Sequence, residues 1–122
     1  MLLLLLGGCG GEPSGAAAQA VAPGVIDGEQ IYNRYCFSCH AAGVAGAPKV
    51  GVAEAWVPRA AKGPAALLAS TVAGVPPGMP PNGLCGSCSD AELTAAIDHM
   101  LARSNVAYPT ALPSDAGGTS AP

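Results

Sequence analysis

The clearest hydrophobic pattern lies toward the end of the chain. Leu93, Ala96, Ile97, Met100 and Leu101 recur at i, i+3, i+4, i+7 and i+8, the face of one helix. Ser89 and Glu92 stand where a capping box opens such a helix. Asp90 and Glu92 fall in its first turn and Arg103 in its last, as the helix dipole favours. An earlier segment starts with Asp27 and Gln30 in a similar capping relation. Ile31, Tyr32 and Tyr35 then share one side of a short helix running into Cys36. Between the two, residues 54–62 and 64–72 read as further short helices. Pro64 suits a first helical position, and Gly63 and Gly74 suit helix ends. No stretch alternates convincingly as a strand. The pattern predicts an all-α unit of three to four short helices joined by loops rich in Gly and Pro.

Composition limits how large that unit can be. Gly and Pro number 17 and 12 in 122 residues, and many of them gather at the two ends. Residues 10–24 read as a flexible linker. Residues 105–122, with Pro109, Pro113, Gly117 and Gly118, read as a disordered C-terminal tail. The folded segment is then 25–104, about 80 residues, a length at which a core alone is marginal and a staple, metal or cofactor is called for. One Trp, three Tyr and one Phe exclude a large aromatic core. A net charge of −3 argues against nucleic acid as a partner. No apolar run reaches the length of a transmembrane helix.

Five cysteines change the picture: Cys9, Cys36, Cys39, Cys85 and Cys88. Residues 1–9 end in Leu6, Gly7, Gly8 and Cys9 after a leucine run, which resembles a bacterial lipoprotein signal. That resemblance implies cleavage before Cys9 and lipid on its thiol, hence a membrane anchor. The rival reading is part of an ordinary secretory signal cut nearby.

Cys36-Phe37-Ser38-Cys39-His40 is a Cys-x-x-Cys-His, the attachment signature of c-type haem. Residues three apart on a helix project to the same side, so two thiols can add to the two vinyl groups of one porphyrin. His40 then falls under the iron and offers an imidazole nitrogen. Two other chemistries compete. A thioredoxin-type dithiol would need a βαβ pattern, which is absent. A zinc site from Cys36, Cys39, Cys85 and Cys88 would need an unusually long spacing between its pairs and leaves His40 without a role. For a sixth iron ligand the candidates are Met79, His99 and Met100. Met79 sits among four prolines in an extended, stiff loop that can present a thioether at little entropic cost. Met100 occupies a core position of the last helix, and His99 is expected to face solvent beside Asp98.

With these residues together, the chain resembles a class I cytochrome c, most closely the cytochrome c5 group. The resemblance is carried by Cys36-x-x-Cys39-His40 and Trp56-Val-Pro58-Arg59-Ala-Ala-Lys62-Gly63. Met79-Pro80-Pro81 through Cys85 and Cys88 to Asp90, and Ala95-Ala96-Ile97 through Met100, complete it. It implies three to four helices around one covalent haem c, with the first and last helices crossing at Gly28 and Tyr32. It implies that His40 and Met79 hold the iron and that the Pro48 carbonyl accepts the His40 Nδ1 proton. Trp56 and Arg59 match positions near the haem propionates. Cys85 and Cys88 match the family's disulfide, which requires an oxidising compartment. An Asp often found before the middle helix is replaced here by the Gly51-Val52 region.

A centre closed by His and Met has no open site for substrate, so the resemblance implies an electron carrier rather than an enzyme. Its expected partners are redox proteins, an oxidase, reductase or dehydrogenase, on the periplasmic side of a bacterial membrane. Residues 25–104 carry five basic and six acidic groups, so no strong single-sign docking face is expected. The rival functions are a haem catalyst or gas sensor with a labile Met79, and a structural zinc module.

Overall fold

The structure is a computed structural model and describes residues 24–110. Cys9, the linker up to residue 23 and most of the expected tail lie outside the described residues.

The first helical run begins where Asp27 accepts the Gln30 N–H at 3.1 Å. It is one continuous rod in three parts: α1 (Gly28–Ile31), a π-helical stretch (Tyr32–Cys36) and α2 (Phe37–His40). In the middle part the Phe37 N–H reaches back five residues to the Tyr32 carbonyl, one wide turn within the helix. The rod thus continues four residues past Cys36, the end expected from the pattern, and carries the Cys-x-x-Cys-His motif on its last turn.

Three more helices follow: α3 (Ala53–Ala60), α4 (Pro64–Ala73) and α5 (Asp90–Arg103). The helix α3 has no side-chain cap at Val52, and α4 opens on Pro64 as anticipated. The start of α5 is a complete capping box. Ser89 Oγ accepts the Glu92 N–H at 3.2 Å, and the Glu92 carboxylate accepts the Ser89 N–H at 2.8 Å. Among the described residues, the β pairing is one isolated bridge between Val75 and Met79. No described helix is long and apolar enough to cross a membrane.

The α1 rod crosses α5 so closely that a Cβ on Gly28 would collide with the Ala95 carbonyl. Tyr32 is buried one turn on, where the two helices meet. The core joins Tyr32, Trp56, Ala60, Leu67, Ile97, Met100 and Leu101. Four of its members (Trp56, Leu67, Ile97, Met100) also line an open cleft. His99 does not face solvent as expected. It is half-buried with its ring 5.2 Å from that of Tyr32, because the close helix crossing brings this side of α5 onto the aromatic ring.

Packing continues past residue 104, beyond the boundary drawn from the sequence. Val106 and Tyr108 lie against the core, the Val106 N–H donates to Leu101, and the Tyr108 hydroxyl donates to Asp98 at 3.1 Å. Burial, then the hydrogen bond to Asp98 and its charge, push the Tyr108 phenol up to about 12. The folded state therefore holds this proton more tightly than the unfolded chain. The stabilisation is whole below pH 10 and lost as the pH rises through about 12. In urea unfolding, Tyr108→Phe is expected to lose less stability than the parent between these pH values; parallel curves would show that the phenol is not coupled to folding.

Candidate functional site

The cleft holds about 250 Å³ of open space and gathers residues from several parts of the fold. Cys36, Cys39 and His40 come from the end of the first rod, Pro48 from the following loop, Trp56 and Arg59 from α3, and Met79 from the proline loop. All seven residues singled out in the sequence as cofactor contacts line it. Cys85 and Cys88 stand outside its walls. They are joined to each other, with an S–S distance of 2.02 Å. That bond uses two of the four thiols a zinc site would need, and no group of three or more His, Cys, Asp or Glu among the described residues could hold a metal ion.

Cys36 and Cys39 are free and half-buried. Burial pushes the Cys36 thiol up, and the neighbouring Cys39 adds to the effect. His40 is 93% removed from solvent, being 7% exposed, and its Nδ1 donates to the Pro48 carbonyl at 2.9 Å. That bond fixes the tautomer and leaves the Nε2 lone pair available on a ring that lines the cleft. The His40 carbonyl accepts the Val50 N–H at 2.8 Å, so the same loop grips ring and backbone alike.

Met79 is presented by a closed loop rather than the extended one its prolines suggested. The Val75 N–H donates to Met79 and the Met79 N–H to Val75, at 2.8 and 2.9 Å. Gly74 lets the chain turn here. Its φ is +78°, and a Cβ would meet the Met79, Pro80 and Pro81 backbone within 3 Å. The prolines still stiffen the loop; the reciprocal hydrogen bonds close it.

Trp56 and Arg59 lie on the cleft wall, and each donates to a backbone carbonyl of the protein itself. Trp56 Nε1 donates to the Lys49 carbonyl at 2.9 Å, and the Arg59 guanidinium donates to the Ala55 carbonyl. Sequence reasoning missed the rest of the rim. Val44, Val75 and Leu84 are at least half exposed along it, a placement that depends on loop paths with no periodic signature.

The donor set fits a covalent haem. Two free thiols sit one turn apart, an imidazole follows with one nitrogen committed and one open, and a thioether lines the same apolar cleft. Residues 24–100 match the protein family described as cytochrome C oxidase, cbb3-type, subunit III. The chain is 47% identical to cytochrome c5 of Azotobacter vinelandii over 79 residues, which covers 63% of this chain and 94% of that protein. It is 41% identical to cytochrome c5 of Ectopseudomonas mendocina over 85 residues, 68% of this chain and 97% of that one. The chain belongs to the class I c-type cytochromes.

Solved structures agree. The cytochrome superimposes on a mono-haem ferrocytochrome c from Shewanella putrefaciens with a TM-score of 0.57 at 46% identity, covering 62% of this chain and 93% of that one. It is also similar to a chain in a crystal structure described as an electron-transfer complex of nitrite reductase with cytochrome c. There the TM-score is 0.59 at 43% identity, over 63% of this chain and 93% of that one. This cytochrome binds haem c covalently, with its iron, and is an electron carrier rather than an enzyme. It passes electrons to and from redox partners.

Proposed function

We propose that the cytochrome holds one haem through Cys36 and Cys39, that His40 Nε2 and Met79 Sδ would bind its iron, and that it carries single electrons outside the cytoplasm. The reading rests on one observation: these four residues line one cleft while the His40 Nδ1 proton is already held by Pro48. When bound, haem c supplies a one-electron ferric–ferrous couple.

The protein's own part follows from its residues. The thiols of Cys36 and Cys39 would hold the group through thioether bonds, so that it would not dissociate. Pro48 orients the His40 ring and makes Nε2 a better donor. The closed 75–79 loop holds the Met79 thioether in place, so little rearrangement accompanies a change of charge. A soft thioether donor from Met79 would favour the reduced state. The largely apolar walls would exclude water once the group fills the cleft, while the rim at Val44, Val75 and Leu84 offers a partner an apolar approach.

The Cys85–Cys88 bond supports an oxidising compartment, the periplasm or the cell exterior. The run from Leu2 to Leu6, then Gly7, Gly8 and Cys9, supports a lipid tether at Cys9. The similarity to a cytochrome c crystallised with nitrite reductase supports a reductase as one class of partner. Protein expressed with haem-attachment machinery tests the ligand set. A low-spin spectrum with a Met–iron charge-transfer band is expected. High-spin haem, or prompt carbon monoxide binding to reduced protein, would favour the labile-Met reading instead.

A further inference from the structure

The loop that holds His40 is itself held from two directions. Lys49 to Val52 form a tight turn in which the Val52 N–H donates to the Lys49 carbonyl at 3.2 Å and Gly51 takes φ +91°. Pro48, the acceptor for His40 Nδ1, immediately precedes the turn. On one side Trp56 Nε1 donates to the Lys49 carbonyl. On the other, the Gly51 N–H donates to Ser104 Oγ at 3.0 Å, across 53 residues of chain.

Ser104 ends α5 and is only 1% exposed. Its hydroxyl donates to the Met100 carbonyl at 2.8 Å. The oxygen is therefore oriented from behind, with a lone pair aimed at Gly51. An ordinary helix end does not require this, since the Ser104 N–H already satisfies the Met100 and Leu101 carbonyls. A buried hydroxyl with both roles filled is a rigid strut between α5 and the turn.

From this we infer that Ser104 is a positioning residue for the iron-binding imidazole. It acts through Gly51 and the 49–52 turn to keep the Pro48 carbonyl on His40 Nδ1, with Trp56 as a second anchor on the same turn. The inference rests on the proposed His40 ligation and adds a residue far from the motif to its control. A carbonyl held on Nδ1–H pushes electron density toward Nε2 and stabilises ferric iron. Loosening the strut weakens that push.

The test compares holoprotein carrying Ser104→Ala, Trp56→Phe or Ser89→Ala. Ser89→Ala removes the cap at the far end of α5 and serves as a control that lowers stability without touching the turn. Both turn variants are expected to raise the reduction potential. They are also expected to speed exchange of the His40 Nδ1 and Val50 protons in the reduced protein. The increase should be about fivefold, the factor for one lost hydrogen bond. Ser89→Ala should lower the melting temperature and leave potential and exchange unchanged. If Ser104→Ala lowers only the melting temperature and matches Ser89→Ala in potential and exchange, Ser104 is a helix cap and the inference is overturned. Failure of the ligand reading would look different, as a parent protein without low-spin His–Met haem.

Discussion

A Met79→Ala protein is expected to keep its covalently held pigment and lose the Met–iron charge-transfer band. Its reduction potential should fall by on the order of 0.1 V, within the range of about 0.8 V that axial ligands span. The reduced form should also bind carbon monoxide at once, because the position opposite His40 has been vacated. The size of the effect follows from the loop. Val75 and Met79 exchange both backbone hydrogen bonds, and the prolines between them limit relaxation. Near-infrared absorbance and a potentiometric titration read the outcome. Met100→Leu is the contrast, since Met100 also lines the cleft but is 4% exposed within the core. That change conserves volume and should cost less than about 1.5 kcal/mol while leaving the potential near the parent's. If the band survives Met79→Ala and disappears with Met100→Leu, the sixth ligand comes from α5.

The second large effect is expected when both motif thiols are removed. Cys36→Ala with Cys39→Ala should yield protein whose pigment is wholly extracted by acid acetone, whereas the parent's stays with the chain. Stripped of that pigment, it should fold poorly. Trp56, Leu67, Ile97 and Met100 are core residues that border the cleft, so the core is finished only when the cleft is filled. A domain of about 80 residues leaves little margin for an unfilled centre. Far-UV circular dichroism at 25 °C should show most of the helical signal disappear when that non-covalent haem is removed by a scavenger. Retention of full helicity in the stripped double variant would mean that the polypeptide core is self-sufficient.

Much of this architecture was legible from local chemistry. The Ser89–Glu92 box, Pro64 and the 3.6 period of α5 are signals written within a few residues of each other, and each marks an observed helix boundary or face. The spacing of Cys36, Cys39 and His40 is likewise local, and so is their placement on one cleft wall. What escaped depends on the meeting of distant segments. Beside Asp98, His99 reads in sequence as a solvent-facing residue; its contact with Tyr32 exists only because Gly28 lets two helices touch. The Met79 loop looked extended because proline fixes φ, but chain reversal there comes from Gly74 and from hydrogen bonds between residues 75 and 79. The packing of Val106 and Tyr108 was hidden by the prolines that follow. Nothing near Ser104 in the sequence indicates that its hydroxyl meets Gly51.

The wide turn at Tyr32–Cys36 has a consequence for how this domain tolerates changes of length. A π turn is geometrically an α turn with one surplus residue. Deleting an outward-facing member, Asn33 or Arg34, lets the backbone relax to the ordinary pitch while the flanking segments keep their rotational phase. Adding a residue has no such outlet and rotates everything downstream by about 100°, swinging the thiols away from the cleft. Shortening by one is therefore the gentler indel at this point in the rod, and lengthening by one the harsher.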